Sequence, residues 1–380
     1  MKITNIETFV FADDLMDNPK FMRNNILVKI DTDEGITGVG EATIRNREMA
    51  VKAAIDDHIA PFLIGTSPFD VSKMFDRFFT RDAWRGGAVL LSAISGIETA
   101  MWDIIGKYAG QPIYNLLGGK FKPDVRTYAN AWFFDCKSSE EYVEAAVKTV
   151  EAGWDALKWD PPMIFKNLPE YLMVEEAAKN VYAIREAVGR DVDLLMEVHG
   201  QLSYDGARKF ASLIEDADVM FIEEPMPPDD KEGFQRLGLK TSIPIAGGER
   251  IFTRFGYKAI IDEGVLSVAQ PDLTHMGGIL ETKLTAAMLE AAYIMFAPHN
   301  SNGIVATAAA VMVDATGPNF LIQEMATAVL KQNERILKSG LKWEKGRFIL
   351  DDSKPGLGIE VDFDVIRKFS YKRSFTELPK

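Results

Sequence analysis

A single cysteine, Cys136, stands in a chain of 380 residues. That excludes an internal disulfide framework and a thiolate metal cluster, and a lone cysteine of this kind reads as a small buried apolar residue. Histidine is nearly as scarce, with only His58, His199, His275 and His299. Basic charge is also short. The 43 Lys and Arg residues face 56 Asp and Glu, for a formal net charge of −13, so the footprint of a nucleic-acid partner is missing. An anionic small substrate stays open, because a local cation or bound metal reverses the field inside one pocket. No apolar run approaches the roughly 20 residues of a membrane span. Met1 to Val10 has neither the apolar core nor the small-residue cleavage site of a secretory signal. The expectation is a cytoplasmic protein with no membrane partner.

What is present is a globular composition, 47% apolar and 26% charged, in a chain too long for one ordinary core. Ile26–Ile30 and Ile36–Glu41 flank a polar turn and read as a hairpin. Leu90, Ala93, Ile94 and Ile97 recur at helical spacing and set a helix over Leu91–Tyr108. From about Arg126 the rhythm changes to short apolar runs alternating with amphipathic helices. The runs are Val125–Trp132, Ala156–Trp159, Leu194–Val198, Met220–Ile222, Ile243–Ala246, Leu266–Ala269, Ile294–Ala297 and Phe320–Ile322. Ser138 with Glu141 forms a capping box between the first two. Repeated strand–helix units imply a parallel sheet, and this many favour closure into a barrel over an open doubly wound sheet. The chain then continues through Thr327–Lys380, whose Pro355-Gly356-Leu357-Gly358 turn is expected to pack back on the N-terminal part.

Acidic residues fall where strands should end. Glu197, Glu223 and Glu249 are spaced by 26 residues each (223 − 197 and 249 − 223). One strand–helix unit per step puts each carboxylate at the C-terminal rim of a successive strand, where barrel active sites form. Converging carboxylates repel, and a hard cation that takes oxygen ligands, Mg2+, removes the repulsion. The alternative is that they pair with Lys or Arg of neighbouring strands. His199 follows Glu197 by two residues and shares its face. His299 and Asp272 each follow an apolar run, and a carboxylate on one imidazole nitrogen raises the basicity of the other, so they form a candidate base dyad. His58 and His275 read as satisfied core or surface residues. Lys158 ends the second barrel strand and, with Asp160, is a candidate for binding the substrate. Glu324 ends the eighth, where a protonated carboxyl could donate to an enolate oxygen.

At these residues the chain resembles the enolase superfamily, mandelate racemase subgroup, and most strongly its sugar-acid dehydratases of the galactonate and gluconate type. The resemblance runs through DEGITGVGEA, SAISGIETAMWDIIGK, NLLGG, QPDLTHMGG, APHNSNG and KPGLGIEVD. It implies a (β/α)7β barrel, residues 126–325. An α+β capping domain, residues 1–125, would lie over it and be joined by the returning segment 326–380. It implies Glu197, Glu223 and Glu249 as Mg2+ ligands and His299, held by Asp272, as the base at C2. His199 becomes the acid for the C3 hydroxyl, and Glu324 the enolate-stabilising carboxyl. A homo-oligomer acting on a small acid sugar is expected. Two departures stand out. The first metal ligand is Glu197 where Asp is usual, and the Lys-x-Lys of the racemases is here Lys158-Trp159-Asp160. The lost second Lys weakens a racemase or epimerase reading; a metal-binding barrel without catalysis is the alternative from another class. Specificity is expected from the loops Asp13–Arg23 and Thr43–Arg47.

Overall fold

A computed structural model describes residues 1–13 and 23–372; residues 14–22 of the expected specificity loop Asp13–Arg23 lie outside it. The N-terminal part is an antiparallel sheet of β1 (Ile3–Asp13), β2 (Arg23–Thr32) and β3 (Thr37–Glu41), in that order. The hairpin of β2 and β3 is the expected one. The longer β1 was not legible, because its polar and apolar residues do not form a clean run.

Helix Ala88–Ala109 packs on this sheet at unusually short range. A Cβ on Gly38 would stand 2.1 Å from the Ala100 carbonyl oxygen, and one on Gly40 2.0 Å from that of Gly96. Glycine is therefore what lets backbone meet backbone here. This helix is long and apolar enough to cross a membrane, contrary to the count of apolar runs. However, 72% of its most apolar window is buried inside the protein, so it serves as the core of the capping layer. Ala93, Ile94 and Ile97 are fully buried along it.

The second layer system is a barrel of parallel strands: β4 (Asp124–Asn130), β5 (Ala156–Trp159), β6 (Asp193–Glu197), β7 (Val219–Glu223), β8 (Ile245–Gly247), β9 (Val268–Ala269), β10 (Met295–Phe296) and β11 (Gln323–Ala326). Each neighbours the next, and β11 pairs with β4. A bridge between Phe296 and Phe320 completes the circuit. A helix follows each strand up to β10 and none of that kind follows β11, the (β/α)7β order. The eighth strand was expected at Phe320–Ile322. It lies at Gln323–Ala326 because its polar residues Gln323 and Glu324 are fully buried inside the barrel end, which an apolar count does not see.

The barrel interior holds Tyr128, Ala156, Leu195, Phe221, Ala246, Val268, Ala297 and Ile322 as one cluster. Side chains two residues further along a strand point the same way. Those positions are Asn130, Lys158, Glu197, Glu223, Gly248, Gln270, His299 and Glu324. The apolar plug thus carries a polar layer directly on its C-terminal side.

The tail returns to the capping layer. The Leu357 N–H donates to Asp103 Oδ1 at 2.9 Å, and Phe369 stacks against Phe11. Capping-layer carboxylates also tie the two parts together. Glu41 accepts from the N–H groups of Gly303 and Ala306 at 2.7 and 2.8 Å, and Glu98 from those of Ile279 and Leu280 at 2.7 and 2.9 Å. Both cap the free N-termini of barrel helices, Ile304–Asp314 and Ile279–Ala291. Ser138 caps helix Ser139–Glu151 as expected, but Glu141 reaches back to the N–H of Lys137. Cys136 is half-buried, and burial pushes its thiol up to about 11.

Candidate active site

A cavity of about 320 Å³ opens between the polar layer and the capping sheet, large enough for a six-carbon ligand. Its floor includes Lys158, Glu197, His199, Glu249, His299 and Glu324. Its roof includes Asn24, Thr43, Ile44, Arg45 and Glu48, so part of the expected loop Thr43–Arg47 does face it.

Glu197 and Glu223 end neighbouring strands in direct register. Glu249 follows β8 after Gly247 and Gly248. The carboxylates do not converge on one empty point. Lys158 Nζ lies 2.6 Å from Glu223 Oε2, 3.2 Å from Glu324 Oε1 and 3.4 Å from Glu197 Oε2. It is buried, and burial works against its charge, but Glu223 and Glu324 outweigh that and hold its pKa well above the ordinary lysine range. The ion-pair alternative is therefore realised for Glu197 and Glu223. Glu249 pairs instead with His299, Oε2 to Nε2 at 2.9 Å, and that imidazolium holds its carboxyl far below the usual range despite burial. Among the described residues no three His, Cys, Asp or Glu side chains form a ready cage for a metal.

The donor set nevertheless fits a hard cation. All its donors are carboxylate oxygens. Glu223 Oε1 is buried with no hydrogen-bond partner among the described residues. Burial, and then repulsion from Glu197, push the Glu223 pKa up to about 8, the signature of a carboxylate short of positive charge. Glu197 Oε1 accepts from the N–H groups of Val198 and His199 at 3.0 and 2.7 Å, leaving Oε2 toward Lys158. The longer side chain, standing where Asp is usual, folds back on its own turn.

Two histidine–carboxylate pairs flank these groups. His299 Nδ1 lies 2.7 Å from Asp272 Oδ2. Asp272 also accepts from Asn302 Nδ2 at 3.1 Å and, through Oδ1, from the Thr274 N–H at 2.8 Å. Burial opposes charge on His299, yet Glu249, Glu324 and Asp272 raise its pKa well above the ordinary value. On the other wall His199 Nδ1 lies 2.9 Å from Asp160 Oδ2, which also accepts from Gln201 Nε2 at 3.1 Å. His199 adopts a left-handed φ of +52°, uncommon for a non-glycine residue. Burial lowers its pKa, but Glu197 and Asp160 prevail and set it at about 9. Asp160, expected as a substrate-binding residue, thus partners His199 through Oδ2 and leaves Oδ1 without a hydrogen-bond partner among the described residues. Glu324 accepts from the Asn300 N–H at 2.8 Å and from Asn130. Against burial, Lys158 and His299 keep its pKa below the usual carboxylate range.

Three participants were not legible as such. Asn302 and the Asp160–His199 pair depend on contacts across strands. His275, read from the sequence as an ordinary core or surface residue, lines the cavity beside Asp272. The short turn Leu273–Met276, capped by Asp272 itself, brings it back. His58 lies on the surface, as expected.

Residues 6–118 match the mandelate racemase / muconate lactonizing enzyme N-terminal domain, and residues 141–365 the enolase C-terminal domain-like family. The chain belongs to the mandelate racemase / muconate lactonizing enzyme family of the enolase superfamily. It is 36% identical over 368 residues to a D-galactonate dehydratase of Variovorax paradoxus, covering 95% of this chain and 92% of that one. It is 34% identical over 377 residues to a D-galactonate dehydratase of Klebsiella pneumoniae, covering 97% and 94%. Among solved structures, a mandelate racemase/muconate lactonizing enzyme from Sulfitobacter sp. superposes with a TM-score of 0.90 at 31% identity, covering 100% of this chain and 98% of that one. A member of the enolase superfamily from Salmonella Typhimurium gives 0.89 at 30%, covering 97% and 98%.

Proposed function

We propose that this chain is a hydro-lyase that dehydrates an aldonic acid, D-galactonate or D-gluconate, to a 2-keto-3-deoxy acid. Its metal is Mg2+, and it works as a cytoplasmic homo-oligomer. The observation that carries the reading is the pair of histidine–carboxylate dyads, His299–Asp272 and His199–Asp160, on opposite walls of one cavity. The names of the D-galactonate dehydratase relatives support it. In this reading the site lies between a capping domain, residues 1–125 joined by 326–380, and a barrel of residues 126–325.

Glu197, Glu223 and Glu249 would hold Mg2+, which when bound to the substrate carboxylate favours the charge that develops as C2 loses its proton. His299 takes that proton at Nε2 when its ring is neutral, which requires Glu249 to leave the 2.9 Å contact that favours the charged ring here. Asp272 and Asn302 fix the hydrogen on Nδ1 and the plane of the ring. His199, half-exposed with a pKa near 9, carries a proton at neutral pH. It gives that proton to the departing C3 hydroxyl, a poor leaving group otherwise. Water leaves, a C2–C3 double bond forms, and the enol tautomerises to the ketone. Lys158 and Glu324, 3.2 Å apart, form a charge pair on the floor. Because Glu324 is held ionised rather than protonated as expected, the Lys158 ammonium is the donor that would face the substrate carboxylate and the enediolate formed from it, with Glu324 fixing its charge and position. A racemase needs a second base facing His299. Lys158 is enclosed by carboxylates and the position two residues on is Asp160, which favours dehydration.

Chelation is expected to abolish formation of 2-keto-3-deoxy acid from D-galactonate or D-gluconate, with Mg2+ restoring it. Glu223→Gln should lower turnover by about a hundredfold or more, because several kcal/mol of charge stabilisation go with the anionic ligand. Full turnover by metal-depleted enzyme would remove Mg2+ from the account.

A further inference from the structure

We infer that His275 is a substrate-binding residue, presenting Nε2 to a hydroxyl on the polyol chain beyond C3. Its orientation is set by a hydrogen-bond chain. Ser92 Oγ donates its only proton to the Ala88 carbonyl at 2.6 Å. At 2.8 Å from His275 Nδ1, the same oxygen can therefore only accept. The hydrogen of the neutral ring is thus on Nδ1, and Nε2 is the free nitrogen.

Among the described residues Nε2 has no partner within hydrogen-bond distance. Asp272 Oδ2 lies 3.7 Å from it. That oxygen already accepts from His299 Nδ1 and Asn302 Nδ2. The ring lines the cavity with 16% of its side chain exposed. A buried-edge nitrogen beside a filled carboxylate calls for a ligand that can both donate and accept. A hydroxyl does both and suits either protonation state of the ring, whereas a ligand carboxylate would face Asp272.

The place along the substrate follows from the seam. Ser92 belongs to the capping helix Ala88–Ala109 and His275 to the barrel loop after β9. The ring therefore spans the gap between roof and floor, beside the carboxylate that holds His299. This rests on the sugar-acid reading, in which the carboxylate end lies on the floor and the remaining hydroxyls rise toward the roof.

The test compares wild type with His275→Phe and His275→Gln, all loaded with Mg2+, on D-galactonate and D-gluconate. DL-lactate, a 2-hydroxy acid with no further hydroxyl, serves as a competitive ligand. His275→Phe should lower kcat/KM about tenfold, the size of one neutral hydrogen bond, with the loss falling on KM. The inhibition constant for lactate should move much less. His275→Gln, whose amide can still meet a hydroxyl, should recover part of the loss, and Ser92→Ala, which frees the ring to turn, should show a smaller version of it. An unchanged KM, or equal weakening of lactate and aldonate, would overturn the inference alone. So would a fall in kcat together with C2 deuterium exchange, the mark of a role through Asp272. Failure of the wild type to turn over or bind either aldonate overturns the proposed function and this inference with it.

Discussion

His299→Ala should eliminate both dehydration and exchange of the C2 proton with solvent. No other imidazole or amine stands where His299 does. The floor around it is made of carboxylates already engaged by Lys158 or by His299 itself. General base catalysis of this kind contributes about 10²–10⁴-fold, so turnover should fall at least that far. Asp272→Asn should impair the same step less. An amide can still hold the ring but does not favour its charged form, and Asn302 and the Thr274 N–H still restrain the side chain. Activity and exchange are read together, by product formation and by deuterium uptake at C2 in heavy water. Near-normal turnover by the alanine variant would reverse the assignment of the base.

His199→Ala should separate the two halves of the reaction. Proton removal at C2 requires His299, whereas loss of hydroxide from C3 requires an acid, and His199, whose pKa near 9 favours its protonated form, stands on the opposite wall. With departure blocked, the enediolate can only return, picking up deuterium whenever the proton on His299 has exchanged with solvent. The variant should make little keto-deoxy product, down by about 10²–10⁴-fold, while labelling the remaining substrate. Bound Mg2+ must be confirmed, because the His199 ring lies 3.8 Å, Nδ1 to Oε1, from the proposed ligand Glu197. A His199→Ala enzyme that retains Mg2+ and loses labelling and product together, beside a His299→Ala enzyme that still labels, would show the two roles exchanged.

Much of this site was readable before the structure, for physical reasons that also mark where reading stopped. The regular spacing of Glu197, Glu223 and Glu249 reflects one strand–helix unit per step, and the barrel places all of them at one rim. Glu197 and His199 do line one cavity as expected, but β6 ends at Glu197 and His199 has a left-handed φ, so the turn and not strand parity brings it there. Contacts that depend on register between strands were less accessible. Asp160 and His199 lie 39 residues apart in sequence, and their 2.9 Å contact follows from where β5 and β6 pair, not from any local pattern. Lys158 was placed on the right strand, but its enclosure by Glu197, Glu223 and Glu324 needs the eighth strand brought beside the first. Glu324 was assigned to the end of a strand that begins three residues later than its apolar run suggests. His275 was set aside because it follows no apolar run; a single turn after Asp272, and a serine on the capping helix, give it its place.

The central claim is that C2–H and C3–OH are both broken on an aldonate. Incubation of the Mg2+-loaded protein with a panel of C5 and C6 aldonates, with products read by mass and NMR, tests it most directly. The account predicts a 2-keto-3-deoxy acid, lighter than its substrate by one water, from D-galactonate or D-gluconate. A C2 epimer with its C3 hydroxyl retained, or no turnover of any aldonate while Mg2+ is bound, would contradict it.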